Sequence, residues 1–251
     1  MLRRWDIWER YRSGEAMIEW IAFDADDTLW KNEGMYLQAR KEFLEILSGY
    51  GITSADLVGA ENLEVDNIRY YGYGVMSFVL SLIETALDLV GESLRPADIH
   101  KLLDLGKEML SAEVEILDGV AEMLAELSAH YPLMLITKGD LYHQQRKIQD
   151  SGLAGYFKAL EIVSDKTEDI YREILERHGI IPEKFVMIGN SLRSDVMPVL
   201  ELGGWAIHLS GHLTWSHEND SPERECRNRY LEISGISGVS EALQELQRRA
   251  G

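Results

Sequence analysis

The residues from Trp20 to Trp30 read WIAFDADDTLW, and this stretch restricts the fold more than any other. Trp20, Ile21, Ala22 and Phe23 form a short apolar run, the pattern of a buried strand. Asp24, Asp26 and Asp27 follow at once. Carboxylates at the end of a buried strand need their charge compensated. A divalent cation is the natural compensation, and Mg²⁺ is satisfied by one or two carboxylates plus water. The C-terminal edge of the strands is also where an open α/β sheet receives its ligands. Taken alone, the three acids could equally be a polar turn, so the reading depends on what else the chain brings to that edge.

The chain has 251 residues, enough for one large domain or a core with one insert. Its formal net charge of -18 disfavours non-specific nucleic-acid binding, and no basic stripe offsets it. A phosphorylated substrate stays compatible, because a bound cation inverts the local field. Cys226 is the single cysteine, so no internal disulfide forms and a reducing, cytoplasmic setting is expected. No apolar run is long enough to span a membrane, and the basic N-terminus has no apolar segment behind it, so neither a membrane anchor nor a secretory signal is expected.

Residues 1–16 are open between a short peripheral helix, with an apolar face at Trp5, Ile7, Trp8 and Tyr11, and an extension ahead of Met17. After the acidic turn the pattern becomes helical. Apolar residues at 36, 37, 39, 43, 44 and 47 have helical spacing. A weaker helix is predicted over 54–68 with Thr53 or Ser54 as its cap, then an apolar one over 70–90 and a fourth over 96–110 opened by Pro96. The block 33–113 therefore reads as an all-helical insert, with 17–32 and 114–251 as the α/β core. A helix opening at Asp118 leads into alternation. Strands are expected at 131–137, 159–164, 185–189 and 204–209, and helices at 143–151, 167–178 and 194–202. This order implies a mostly parallel, Rossmann-like sheet with helices on both faces. Residues 210–229 read as a polar surface loop, followed by an edge strand at 230–234 and a terminal helix at 238–249 behind Ser237.

Polar groups suited to an anion or a cation follow the later strands: I136-T-K-G139, S164-D-K-T167 and I188-G-N-S-L-R-S-D195. Parallel strands would bring all of them to one edge. With D24-A-D-D-T28, these four segments resemble, in order, the four motifs of the haloacid dehalogenase-like hydrolases over about Ile18–Leu209. The helical block matches that family's type 1 cap in position. Asp27 stands where glycine is commonest, and Asn190 where many members have an acid.

The resemblance implies a phosphatase-type member. Asp24 would be the nucleophile, forming an aspartyl-phosphate, and Asp26 the general acid and then base. Asp24, Asp195, Asn190 and the backbone carbonyl of Asp26 would hold Mg²⁺. Thr137, the loop at Lys138 and Gly139, and Lys166 would bind the phosphoryl group. Asp27 and Asp165 read as surface residues. Trp30, Glu33 and the cap tyrosines Tyr70, Tyr71 and Tyr73 are candidate substrate contacts, though packing explains the tyrosines as well. His212, His217 and Glu218 lack the spacing of a tight metal site and read as loop residues rimming the pocket. A cap over the cleft favours a small phosphorylated molecule. Asp26 argues against a dehalogenase, and no cap lysine marks a phosphonate hydrolase. A phosphomutase uses the same Asp pair and stays the alternative, with a non-catalytic binding protein behind it. The assembly is open between monomer and homodimer.

Overall fold

The structure is a computed structural model describing residues 18–58, 60–210 and 228–250. The N-terminal extension, most of the loop after residue 210 with His212, His217 and Glu218, and Cys226 lie outside the described residues. Six strands form one sheet: β1 (Trp20–Phe23), β2 (Leu133–Lys138), β3 (Ala159–Val163), β4 (Phe185–Gly189), β5 (Trp205–Leu209) and β6 (Tyr230–Ile233). Their order is β3-β2-β1-β4-β5-β6, and every pair is parallel. β1 lies between β2 and β4, with Phe23 opposite both Leu135 and Ile188. The chain leaves β1 in one direction and returns on its other side, so a crevice opens at the C-terminal ends of these three strands.

Side chains alternate across the sheet, as the pleat requires. Ile21, Phe23, Leu133, Leu135, Val186 and Ile188 face one layer, where α5 (Val120–Ser128) and α9 (Val239–Ala250) pack. Ala22, Met134, Ile136, Phe185 and Met187 face the other, against α7 (Glu168–His178) and α8 (Met197–Glu201). Both faces are covered, which explains why the strands are nearly continuous apolar runs. Burying one side chain such as Phe23 contributes roughly 2 kcal/mol or more.

The helical cap follows β1: α1 (Glu33–Ser48), α2 (Ala60–Tyr71), α3 (Val75–Val90) and α4 (Pro96–Ser111). It has its own core of Phe43, Leu47, Phe78, Leu82 and Leu102 among others. Two short crossings join it to the sheet domain, tied by Leu117 N–H to Leu29 O and Lys31 N–H to Glu115 O, both 2.9 Å. Helix α6 (Leu141–Asp150) follows β2 and is capped by Asp140, whose carboxylate accepts from the His143 N–H at 2.8 Å.

Several boundaries differ from expectation. Thr53–Val58 forms turns rather than helix, because Asp56 accepts from the Thr53 N–H and hydroxyl and offers the backbone a local alternative. Tyr70 and Tyr71 end α2 instead of opening α3; Gly72 and Gly74, at φ 73° and 119°, turn the corner between them. Gly119, at φ 82°, precedes α5 in place of Asp118. A single π turn, Leu192–Val196, precedes α8 where regular helix was expected. No helix among the described residues is long and apolar enough to cross a membrane.

Candidate active site

Asp24 continues β1 by donating its N–H to Ile188 O at 2.9 Å, so its side chain emerges at the crevice. Lys166, from the loop after β3, places its Nζ 2.5 Å from Asp24 Oδ1 and 2.7 Å from Asp195 Oδ1. Asp195 sits inside the π turn, where Ser191 N–H donates to its Oδ2 at 3.0 Å. A single π turn of this kind is a common device for aiming a functional side chain. Ser191, not Asp195, caps this turn, accepting from the Ser194 N–H at 2.9 Å. Thr28 shares its hydroxyl between Asp24 Oδ2 at 3.1 Å and Asn190 Oδ1 at 3.3 Å. Asp24, Thr137, Lys166, Asn190 and Asp195 are all buried, at one end of a cavity of ≈ 170 Å³.

Two carboxylates here share one ammonium. Burial pushes the Asp24 carboxyl up to about 7 against the pull of Lys166, with Asp195 adding to the rise. Burial works to lower Lys166, but Asp195 and Asp24 outweigh it and hold the ammonium protonated well above lysine's usual range. The cluster is thus short of positive charge, and its donors are all oxygens. That chemistry fits a small hard cation held by Asp24, Asp195 and the Asn190 amide oxygen. The fit rests on those two carboxylates with neutral oxygens, since no group of three His, Cys, Asp or Glu side chains forms a metal cluster among the described residues.

Asp26 has a different environment. Its Oδ1 accepts from Lys147 Nζ at 2.5 Å and from the Trp30 indole N–H at 2.6 Å; its Oδ2 accepts from Gln144 Nε2 at 2.9 Å. Burial acts to raise this carboxyl, but the Lys147 charge and these hydrogen bonds leave it below the ordinary range. Gln144 Nε2 also lies 2.9 Å from Thr137 Oγ1 and 2.8 Å from Lys138 O, so its two hydrogens are shared among three acceptors. Asp26 Oδ2 and the carbonyl can only accept, which fixes the amide's orientation.

Lys138 donates to Ser194 Oγ at 2.8 Å and lies over the Tyr73 ring, 4.1 Å from its centroid. Glu33 and Tyr73 line the cavity. Trp30 does not: it is 1% exposed, packs in the sheet core and grips Asp26 from beneath. Tyr70 and Tyr71 are exposed at the end of α2, away from the cavity wall. Asp27 is not the solvent-facing turn residue expected from the sequence. It takes φ 58°, the conformation glycine favours, and its carboxylate accepts from the Asn32 and Glu33 N–H groups. It therefore anchors the start of α1, and burial pushes its carboxyl up to about 6.

Sequence reasoning missed four residues. Gln144 and Lys147 are three apart on one face of α6, and nothing before the fold linked that face to Asp26. Arg40 and Glu64 stand in the cap wall of the cavity. Arg40 left a readable signal: it lies four after Tyr36 and three before Phe43, a charge on the apolar side of its helix.

A family model described as haloacid dehalogenase-like hydrolase matches residues 18–203. A solved haloacid dehalogenase-like family hydrolase from Xanthomonas campestris superposes with a TM-score of 0.82 at 40% identity, over 94% of each chain. The glyceraldehyde 3-phosphate phosphatase of Methanothermobacter thermautotrophicus is 26% identical over 239 residues, covering 92% of this chain and 100% of its own length. The N-acylneuraminate-9-phosphatase of Mus musculus is 25% identical over 202 residues, 76% of this chain and 81% of its own.

Proposed function

This chain belongs to the haloacid dehalogenase-like hydrolases, and from that premise we propose a Mg²⁺-dependent phosphomonoester hydrolase acting on a small phosphorylated metabolite. The observation that carries this reading is the division of labour between two carboxylates two residues apart. Asp24 lies against Lys166 and Asp195, while Asp26 is turned to Lys147, Gln144 and Trp30. One is set to attack and the other to move protons. The relatives named as phosphatases support the same class. We place the enzyme in the cytoplasm on its single cysteine.

Asp24, Asp195, the Asn190 amide and the Asp26 backbone carbonyl would hold the ion. When bound, Mg²⁺ supplies the positive charge that this cluster lacks and favours ionised Asp24. Thr137 donates its hydroxyl proton to a phosphoryl oxygen, and Lys166 and Lys138 neutralise the group's charge. Asp24 attacks phosphorus, and the ester oxygen leaves as Asp26 hands it a proton. Asp26, a carboxylate at rest, takes that proton from the substrate's own monoanionic phosphate as it enters beside it. It then accepts a proton from water, which attacks the aspartyl-phosphate and regenerates Asp24. Lys147 and Gln144 keep the Asp26 carboxylate aimed through both half-reactions.

The test is phosphate release from a panel of phosphomonoesters, with and without Mg²⁺. Release that needs Mg²⁺, stops with EDTA and falls by more than about 10³-fold in Asp24→Asn is expected. A phosphomutase would instead yield a second phosphorylated product. No turnover on any ester, or equal turnover by the variant, would refute the mechanism.

A further inference from the structure

The cavity above Asp24 passes between α1 of the cap and α6 of the sheet domain. Lys147 on α6 joins the two at Asp26: its Nζ lies 2.5 Å from Asp26 Oδ1 and 3.2 Å from the Oδ1 of Asn32, the residue ahead of α1. An ammonium only donates, so Asn32 turns its oxygen to Lys147 and its Nδ2 hydrogens away. Tyr36 comes one helical turn after Asn32, and His143 one turn before Lys147 on the same face of α6. Asn32, Tyr36 and His143 all line the cavity. Among the described residues, the Asn32 amide nitrogen, the Tyr36 hydroxyl and the His143 ring have no hydrogen-bond partner, although His143 is only 8% exposed. Burial, with the Asp26 charge behind it, keeps the Tyr36 phenol protonated far above its usual range. Burial and then the Lys147 charge lower His143, which leaves one ring nitrogen to donate and the other to accept. Three uncharged polar groups with hydrogen-bonding capacity to spare thus stand near the carboxyl that serves the leaving oxygen.

We infer that Asn32, Tyr36 and His143 bind a hydroxyl on the carbon next to the ester carbon, and so select leaving alcohols that carry one there. This rests on the phosphatase reading above. The leaving oxygen must come within hydrogen-bond reach of Asp26 to take its proton. The ester carbon then lies beside Asp26, and a substituent one carbon further out reaches the groups that line the cavity around it. A hydroxyl satisfies all three, because it donates one hydrogen bond and accepts two. It accepts from the Tyr36 O–H and an Asn32 N–H, and donates to the unprotonated nitrogen of His143. A methylene in its place strips water from the same groups and returns no hydrogen bond.

Two pairs of esters test the idea in the unmodified protein with Mg²⁺. Propane-1,2-diol 1-phosphate is compared with propyl phosphate, and glycerol 3-phosphate with 3-hydroxypropyl phosphate; each pair differs only in the hydroxyl next to the ester carbon. The hydroxylated member should have the higher kcat/KM by about tenfold or more. Tyr36→Phe keeps the ring edge-on to Phe78 and should narrow that ratio about fivefold, as should His143→Leu. A purely structural loss would slow both members alike and leave the ratio unmoved. A ratio near one in the unmodified protein overturns the inference and leaves the phosphatase reading standing. So does a ratio unchanged in both variants when circular dichroism shows them folded. If neither variant folds, the ratio in the unmodified protein decides. Release from p-nitrophenyl phosphate but from none of the four alkyl esters also overturns the inference alone. No release from any ester, p-nitrophenyl phosphate included, overturns the phosphatase reading and this inference with it.

Discussion

Asp24, Asp26 and Asp27 are one residue type in one turn, and their neighbours give them three fates. Asp24 faces a buried lysine, Asp26 a lysine, an amide and an indole, and Asp27 two backbone N–H groups. Lys147 donates to Asp26 at 2.5 Å and to Asn32 Oδ1 at 3.2 Å, so any effect it has through Asp26 should depend on how much the leaving group needs a proton. Lys147→Met should lower kcat about 10²-fold on an alkyl phosphomonoester, yet less than about fivefold on p-nitrophenyl phosphate, whose leaving group departs unprotonated. Steady-state kinetics on both esters checks this, and equal losses would make Lys147 merely structural. Asp27 gives a stability test. Its folded pKa of about 6 lies above the unfolded value, so its contribution is fully present below about pH 4 and is lost as pH rises through 6. Asn does not titrate. In urea unfolding without metal, the stability of the unmodified protein relative to Asp27→Asn should therefore fall by about 2 kcal/mol between pH 4 and pH 7. A difference that does not change with pH would contradict the assignment.

Among the elements, the end of β4 has the tightest tolerance. A Cβ on Gly189 would lie 2.2 Å from Asp195 Oδ2 and 2.7 Å from its Cβ. The glycine lets the π turn fold Asp195 back over the strand end toward Lys166. Gly189→Ala should leave the sheet intact by circular dichroism while weakening Mg²⁺ binding about 10–100-fold by calorimetric titration. An unchanged titration would remove Asp195 from the metal set. In the cap, Asp98 at the start of α4 is buried and accepts from Lys101 at 2.8 Å, Tyr50 at 2.5 Å and Arg95 at 2.6 Å. Those bonds hold its carboxyl well below the usual range, that from Lys101 foremost. Its contribution is present above the unfolded carboxylate pKa of about 3.9 and is lost as pH falls through the depressed folded value. Asp98→Asn should therefore melt below the unmodified protein at pH 7, with the gap closing below about pH 4. A gap that persists in acid would show that charge is not what Asp98 supplies.

At the scale of the whole molecule, the cap and the sheet domain each bury their own core, and the cavity lies where they meet. The sheet end carries Asp24, Asp195, Thr137 and Lys166, and the cap end carries Glu33, Arg40 and Glu64. The sheet end was legible in the sequence because each of its groups follows a buried apolar run, and parallel strands can only deliver such groups to one edge. Asp24, Thr137, Lys166 and Asp195 needed no more than that. Gln144, Lys147, Arg40 and Glu64 were not legible, because they meet the site from helix faces whose rotation depends on packing between layers. Trp30 and Asp27 were misjudged for a related reason: burial and φ are set by the surroundings, not by residue type. The sequence alone thus determined the sheet, the cap's place in the chain and the carboxylates at the strand ends, since apolar period and motif order can be read along the chain. Only the tertiary structure decided which side chains hold Asp26 and which charges line the cap end of the cavity, because those contacts join residues more than a hundred positions apart in one case and two cap helices in the other.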